Sequence, residues 1–85
     1  MHKIIIATVA LAAFALPASA ASICKDYPAD QWMNQDAITK KVMDMGYVIK
    51  KLGTEGGCYE VKGSKDGKRV ESYFDPVSGE LVLTK

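Results

Sequence analysis

The stretch Asn34-Gln35-Asp36-Ala37-Ile38-Thr39-Lys40-Lys41-Val42-Met43-Asp44-Met45-Gly46, running on into Tyr47-Val48-Ile49-Lys50-Lys51-Leu52-Gly53-Thr54, decides the fold, because its hydrophobic period changes at Gly46. Before that glycine, Ile38, Val42 and Met45 recur at i, i+4 and i+7, so one helix face is apolar while Lys40 and Asp44 lie off it. Asn34 is a good N-cap, Met33 and Ile38 occupy the two positions of a hydrophobic staple, and Asp36 puts a negative charge in the first turn. Gly46 can adopt the left-handed conformation that ends a helix. After it, Tyr47 to Thr54 is β-branched and aromatic, which predicts a strand.

Further strands follow at short intervals. Glu55-Gly56-Gly57 supplies a turn before Cys58 to Ser64, and the Asp66-Gly67 pair predicts a tight hairpin into Arg69 to Asp75. Pro76-Val77-Ser78-Gly79 makes another turn before Glu80 to Thr84. The expected fold class is α+β, with one N-terminal helix packed on a three- to four-stranded antiparallel meander in two layers. Alternation assigns Tyr59 and Val61, then Val70, Ser72 and Phe74, then Leu81 and Leu83, to the face that meets the helix. Tyr47 and Ile49 are in phase but Leu52 is not, which predicts a bulge near Lys50-Lys51. The opposite face carries Glu60, Lys62, Glu71 and Tyr73 and is expected to be polar and wet.

Upstream, His2 and Lys3 precede an apolar run from Ile4 to Leu16, and Pro17-Ala18-Ser19-Ala20 ends in a small-x-small pattern. This predicts a signal peptide over residues 1–20, cleaved to leave residues 21–85. The apolar run is shorter than the about 20 residues that span a bilayer, so no stable membrane anchor is expected. The protein is therefore expected to be periplasmic or secreted. The whole chain has 11 Lys+Arg and 10 Asp+Glu, and loss of Lys3 leaves ten of each. A neutral domain has no bulk attraction to nucleic acid or anionic lipid. The single histidine, His2, leaves with the signal, which removes histidine-dependent nucleophiles and histidine zinc sites from the mature chain.

Residues 21–31, with Pro28 among them, are expected to be irregular, and residues 32–85 to form the domain. A chain this short is marginal without a staple. The two cysteines, an even number in an exported chain, predict a Cys24–Cys58 disulfide. A closed loop of about 35 residues stabilises by roughly 3.5–4 kcal/mol in the chain-entropy model. Lipidation of Cys24 is disfavoured by the bulky Ile23 before it. A catalytic redox pair more usually has C-x-x-C spacing.

The ordered set Gly46-Tyr47, Gly57-Cys58-Tyr59-Glu60-Val61, Asp66-Gly67-Lys68-Arg69-Val70-Glu71 and Asp75-Pro76-Val77-Ser78-Gly79-Glu80 resembles the PepSY domain family, over about Trp32 to Val82. The resemblance implies the helix-plus-sheet fold. It brings no catalytic motif, and it suggests a module that inhibits or chaperones a peptidase.

Chemically suggestive residues have plainer readings beside them. Asp75 to Glu80 offers oxygens for calcium but lacks the alternating acidic pattern of a calcium loop, and a turn explains Pro76 and Gly79. Met43 and Met45 point about 200° away from each other on a helix and cannot chelate one copper ion, so Met45 is read as core and Met43 as exposed. Glu60 and Glu71 form a potential carboxylate pair, for which cross-strand pairing with Lys62 and Arg69 is the expected explanation. Lys50-Lys51 and Lys65 to Arg69 are read as solvated charges.

The function expected from these residues is a non-catalytic exported binding module, modulating or inhibiting a peptidase or other envelope protein in trans, since no peptidase domain follows. Its candidate surface is Glu60, Lys62, Glu71 and Tyr73, or an open strand edge, which is also a route to a homodimer. The alternative is a small-ligand or metal-binding periplasmic protein. No catalytic residue, metal or cofactor is assigned, and nucleic acid is not an expected partner.

Overall fold

The computed structural model describes residues 22–85. The expected signal peptide, residues 1–20, lies outside the described residues. A single 3-10 turn at Ala29–Gln31 precedes helix α1 (Gln35–Asp44) and strands β1 (Tyr47–Glu55), β2 (Cys58–Lys65), β3 (Lys68–Phe74) and β4 (Leu81–Thr84). The strands form one antiparallel sheet in the order β1-β2-β3-β4, a meander in which β1 and β4 are the edges.

Local chemistry accounts for the helix limits. The Asn34 side chain accepts a hydrogen bond from the Ala37 backbone N–H at 2.8 Å, satisfying one of the free donors of the first turn. Gly46, at φ 99°, occupies left-handed space that strains a side chain and turns the chain into β1. The β2–β3 hairpin closes through Asp66 and Gly67 at φ 54° and 79°, as a two-residue primed turn requires.

The helix stripe seats on the expected face. Ile38 and Val42 are fully buried against Tyr47, Tyr59, Val61 and Phe74, with Trp32, Met33, Met45, Ile49, Leu52 and Val70 packed around them. Tyr47 meets Phe74 edge-to-face at 5.5 Å, and Trp32 meets Tyr59 at 5.1 Å. Buried hydroxyls are paired, since Tyr47 Oη lies 3.1 Å from Ser72 Oγ, which lies 3.1 Å from Thr84 Oγ1. Met43 is exposed.

The predicted bulge is present, the β1–β2 register shifting between Ile49 and Lys51. Beside it the backbones crowd together, so that a Cβ on Gly63 would collide with the Val48 carbonyl oxygen and only glycine fits.

Two readings of the sheet need correction. Leu81 and Leu83 do not pack together against the helix. Both are exposed, as is Val82, and a register shift between Tyr73 and Phe74 sets Leu83 opposite Tyr73 and Leu81 opposite Phe74. The bulge breaks the alternation that the sequence pattern assumed. Nor is the opposite sheet face wet throughout. Cys24, Cys58 and Tyr73 form a second small core there with Ile23 packed on it, because the N-terminal segment crosses that face.

Candidate binding surface

The irregular segment that covers this face is tied to it in several ways. Cys24 and Cys58 are disulfide-bonded, with Cα atoms 5.3 Å apart. The backbone N–H groups of Ile23 and Cys24 both donate to the Gly56 carbonyl at 2.9 Å. Further along, the segment is braced internally, Trp32 Nε1 donating to the Tyr27 carbonyl at 3.1 Å. The disulfide is therefore not the sole link between this segment and the sheet.

Beneath the segment lies a polar network. Glu60 and Tyr73 are opposite each other on β2 and β3, as are Lys62 and Glu71. All four candidate residues thus share one patch. Burial separates them, because Tyr73 is fully buried and Glu60 is only 8% exposed, whereas Lys62 is exposed and Glu71 half-buried. The expected ion pairs of the carboxylates with Lys62 and Arg69 do not form. Lys40–Asp44 is the single salt bridge among the described residues.

Instead, the Tyr73 hydroxyl lies 3.1 Å from Glu60 Oε2 and 3.0 Å from Glu71 Oε2. A phenol has one proton to give, so two ionised carboxylates at that distance would leave one oxygen pair unbridged. The two carboxylates therefore compete for the one phenolic proton. Hydrogen bonding to Glu71 and then burial raise the Glu60 pKa above the usual carboxylate value. The Glu60 hydrogen bond, seconded by that of Tyr73, lowers the pKa of Glu71. Lys85 reaches over the Tyr73 ring, its ammonium 5.2 Å from the centroid. It works to lower the Tyr73 pKa, but burial and the carboxylates outweigh it and leave that pKa raised.

Glu55 joins Glu60 and Glu71, with one oxygen of each within 4.8 Å of the others. Three carboxylates fall short of the six to eight oxygens a calcium ion takes, and Tyr73 already engages two of them. The Asp75 to Glu80 loop is a hydrogen-bonded turn. Asp75 Oδ1 accepts from the Val77 and Ser78 N–H groups at 2.8 and 2.9 Å, with the Ser78 bond foremost in lowering its pKa.

Two surfaces remain open. One is β4, all of whose residues are exposed, including Leu81, Val82 and Leu83. The other is a concavity of about 1010 Å³ bordered by Val48, Lys50, Lys62, Arg69, Glu71 and Lys85. Of the residues singled out by sequence, Lys62 and Glu71 fall here. Lys50, Arg69 and Lys85 were not assigned to a site, although the clustering of basic residues between Lys50 and Arg69 is visible in the sequence.

With this geometry in view, comparison with protein families finds the peptidase propeptide and YPEB domain family matching residues 4–85. The chain belongs to that family. The match begins within the expected signal peptide and extends beyond the stretch whose motifs carry the resemblance. No curated protein and no solved structure matches the chain. The family description ties this PepSY domain to peptidase propeptides. Among its described residues no helix is long and apolar enough to cross a membrane.

Proposed function

We propose that this PepSY protein is a non-catalytic exported module that binds, and thereby modulates or inhibits, a peptidase or other envelope protein in trans. Family membership supports the peptidase connection. The observation that carries the mode of binding is β4, a short edge strand whose Leu81, Val82 and Leu83 are 49%, 47% and 40% exposed. Edge strands that natural proteins need to keep single are blunted by charge, proline or a covering element. The apolar side chains of β4 leave it unblunted by charge, so an extended segment of the target can add to the sheet by backbone pairing while those side chains pack against it. The same edge offers a route to a homodimer.

In this reading residues 1–20 direct export and are removed, which places the mature protein in the periplasm or outside the cell. Glu60 and Tyr73 are buried, Tyr73 beneath the N-terminal segment, and contact with a target falls to exposed groups.

The test is inhibition and capture of exported peptidases from the same cells by the purified protein. Val82→Lys places a charge in the middle of the edge and should abolish capture while shifting stability by no more than about 0.5 kcal/mol. Capture that survives this substitution would remove β4 from the account. Peptidases left unbound and fully active by the wild-type protein would overturn the peptidase reading.

A further inference from the structure

The concavity beside the β1 bulge is the second open surface, and its lining is one-sided in charge. Lys50 comes from the bulge of β1, Lys62 from β2, Arg69 from β3 and Lys85 from beyond β4. All four are exposed, and none makes an ion pair among the described residues. The acidic side chain on the lining is Glu71, which stands opposite Lys62 and accepts a hydrogen bond from the Tyr73 hydroxyl at 3.0 Å. A domain with balanced charge overall has thus gathered four basic side chains and one acidic side chain around a single hollow. Four like charges there repel one another, and an entering anion relieves that repulsion.

Backbone geometry adds a second feature. β4 pairs with Ser72, Tyr73 and Phe74, and Lys85 N–H donates to the Glu71 carbonyl at 2.8 Å. The β3 residues that start the strand, Lys68 to Val70, have no partner on that outer side among the described residues. Arg69 and Val70 also border the hollow, so cationic side chains and unpaired strand backbone meet in one place.

We propose that this concavity is a docking groove for an extended, acidic peptide segment. An extended chain uses both features at once, placing carboxylates against Lys50, Lys62, Arg69 and Lys85 while its backbone follows the free part of β3. The exposed Val48 supplies an apolar contact for an alternating side chain. Nucleic acid fits less well, because no aromatic side chain lines the groove on which a base could stack. The proposal deepens the trans-binding reading and rests on it for its biological setting, but the groove itself can be tested alone.

The probe is a fluorescently labelled peptide of about nine residues in which Glu alternates with Val, followed by anisotropy against the purified protein. Binding should weaken as salt is raised. It should fall about tenfold or more when Gln replaces Glu in the peptide, and equally for the Lys50→Glu/Arg69→Glu protein. Lys50→Gln/Arg69→Gln, a milder change at the same exposed positions, should give an intermediate loss with an unaltered melting curve. The proposal is overturned if the Gln peptide or the charge-reversed protein binds as well as the original pair. It is equally overturned if the Glu peptide fails to bind, or if oligothymidylate or phosphatidylglycerol vesicles bind more tightly. Val82→Lys should leave peptide binding intact, so a protein that binds the peptide but inhibits no peptidase would sink the functional reading while keeping the groove.

Discussion

At the scale of single residues, Glu60 does the least expected thing in this chain. A glutamate on the polar phase of β2 is buried, accepts a hydrogen bond from the Tyr73 hydroxyl at 3.1 Å, and has its pKa raised by hydrogen bonding to Glu71 and by burial. Because its pKa is raised in the fold, its contribution to stability is full below the unfolded value and is lost as pH rises through the folded value. Glu71 and Asp75, both lowered, act in the opposite sense and lose their contributions as pH falls. Glu60→Gln keeps the shape, and its amide can still donate to Glu71 and accept from Tyr73. It should remove the decline in stability on the alkaline side of the carboxylate range and leave the acid side unchanged. Thermal melts across that range check this, and a decline identical in variant and wild type would show that Glu60 is ionised throughout. The alternating pattern showed which residues share the face with Glu60. It could not show the burial of this part of the face, where the distant Ile23 and Cys24 pack with Cys58 and Tyr73.

Among the elements, α1 is the one whose sequence signals all operate as expected. Cap, stripe and terminal glycine agree, and each acts over a few residues. Asn34→Ala removes the acceptor for the Ala37 N–H and should cost about 1 kcal/mol. In a domain of this size that lowers the melting temperature by roughly 4–8 °C. Calorimetry reads it directly, and a Gly at the same position should be milder. β4 is the contrasting element, since its alternation is interrupted by an irregularity in pairing with β3. The bulge of β1 was legible because Leu52 falls out of phase in a long strand. The four residues of β4 are too few to show a phase change.

For the whole molecule, the sheet is covered on both sides by unlike means. α1 covers one side with an apolar stripe, and an irregular segment covers part of the other, fastened by the Cys24–Cys58 bond and two hydrogen bonds to Gly56. Replacing both cysteines with Ala should cost on the order of 2–5 kcal/mol, with residues 22–31 becoming protease-sensitive first. Melting with and without reductant, followed by mapping of the first cleavage sites, measures it, and a melt indifferent to reduction would assign the whole stability to packing and hydrogen bonds. The sequence by itself determined the helix, the strand order, the tight turns, the β1 bulge and the cysteine pairing expected of an exported chain, because periodicity, caps and turn residues act between near neighbours. Only the tertiary structure decided that Tyr73 and Glu60 are buried, that Leu81 and Leu83 are exposed, and that four cations surround one hollow. Those outcomes depend on which distant segments come to lie together, and no short-range pattern encodes that.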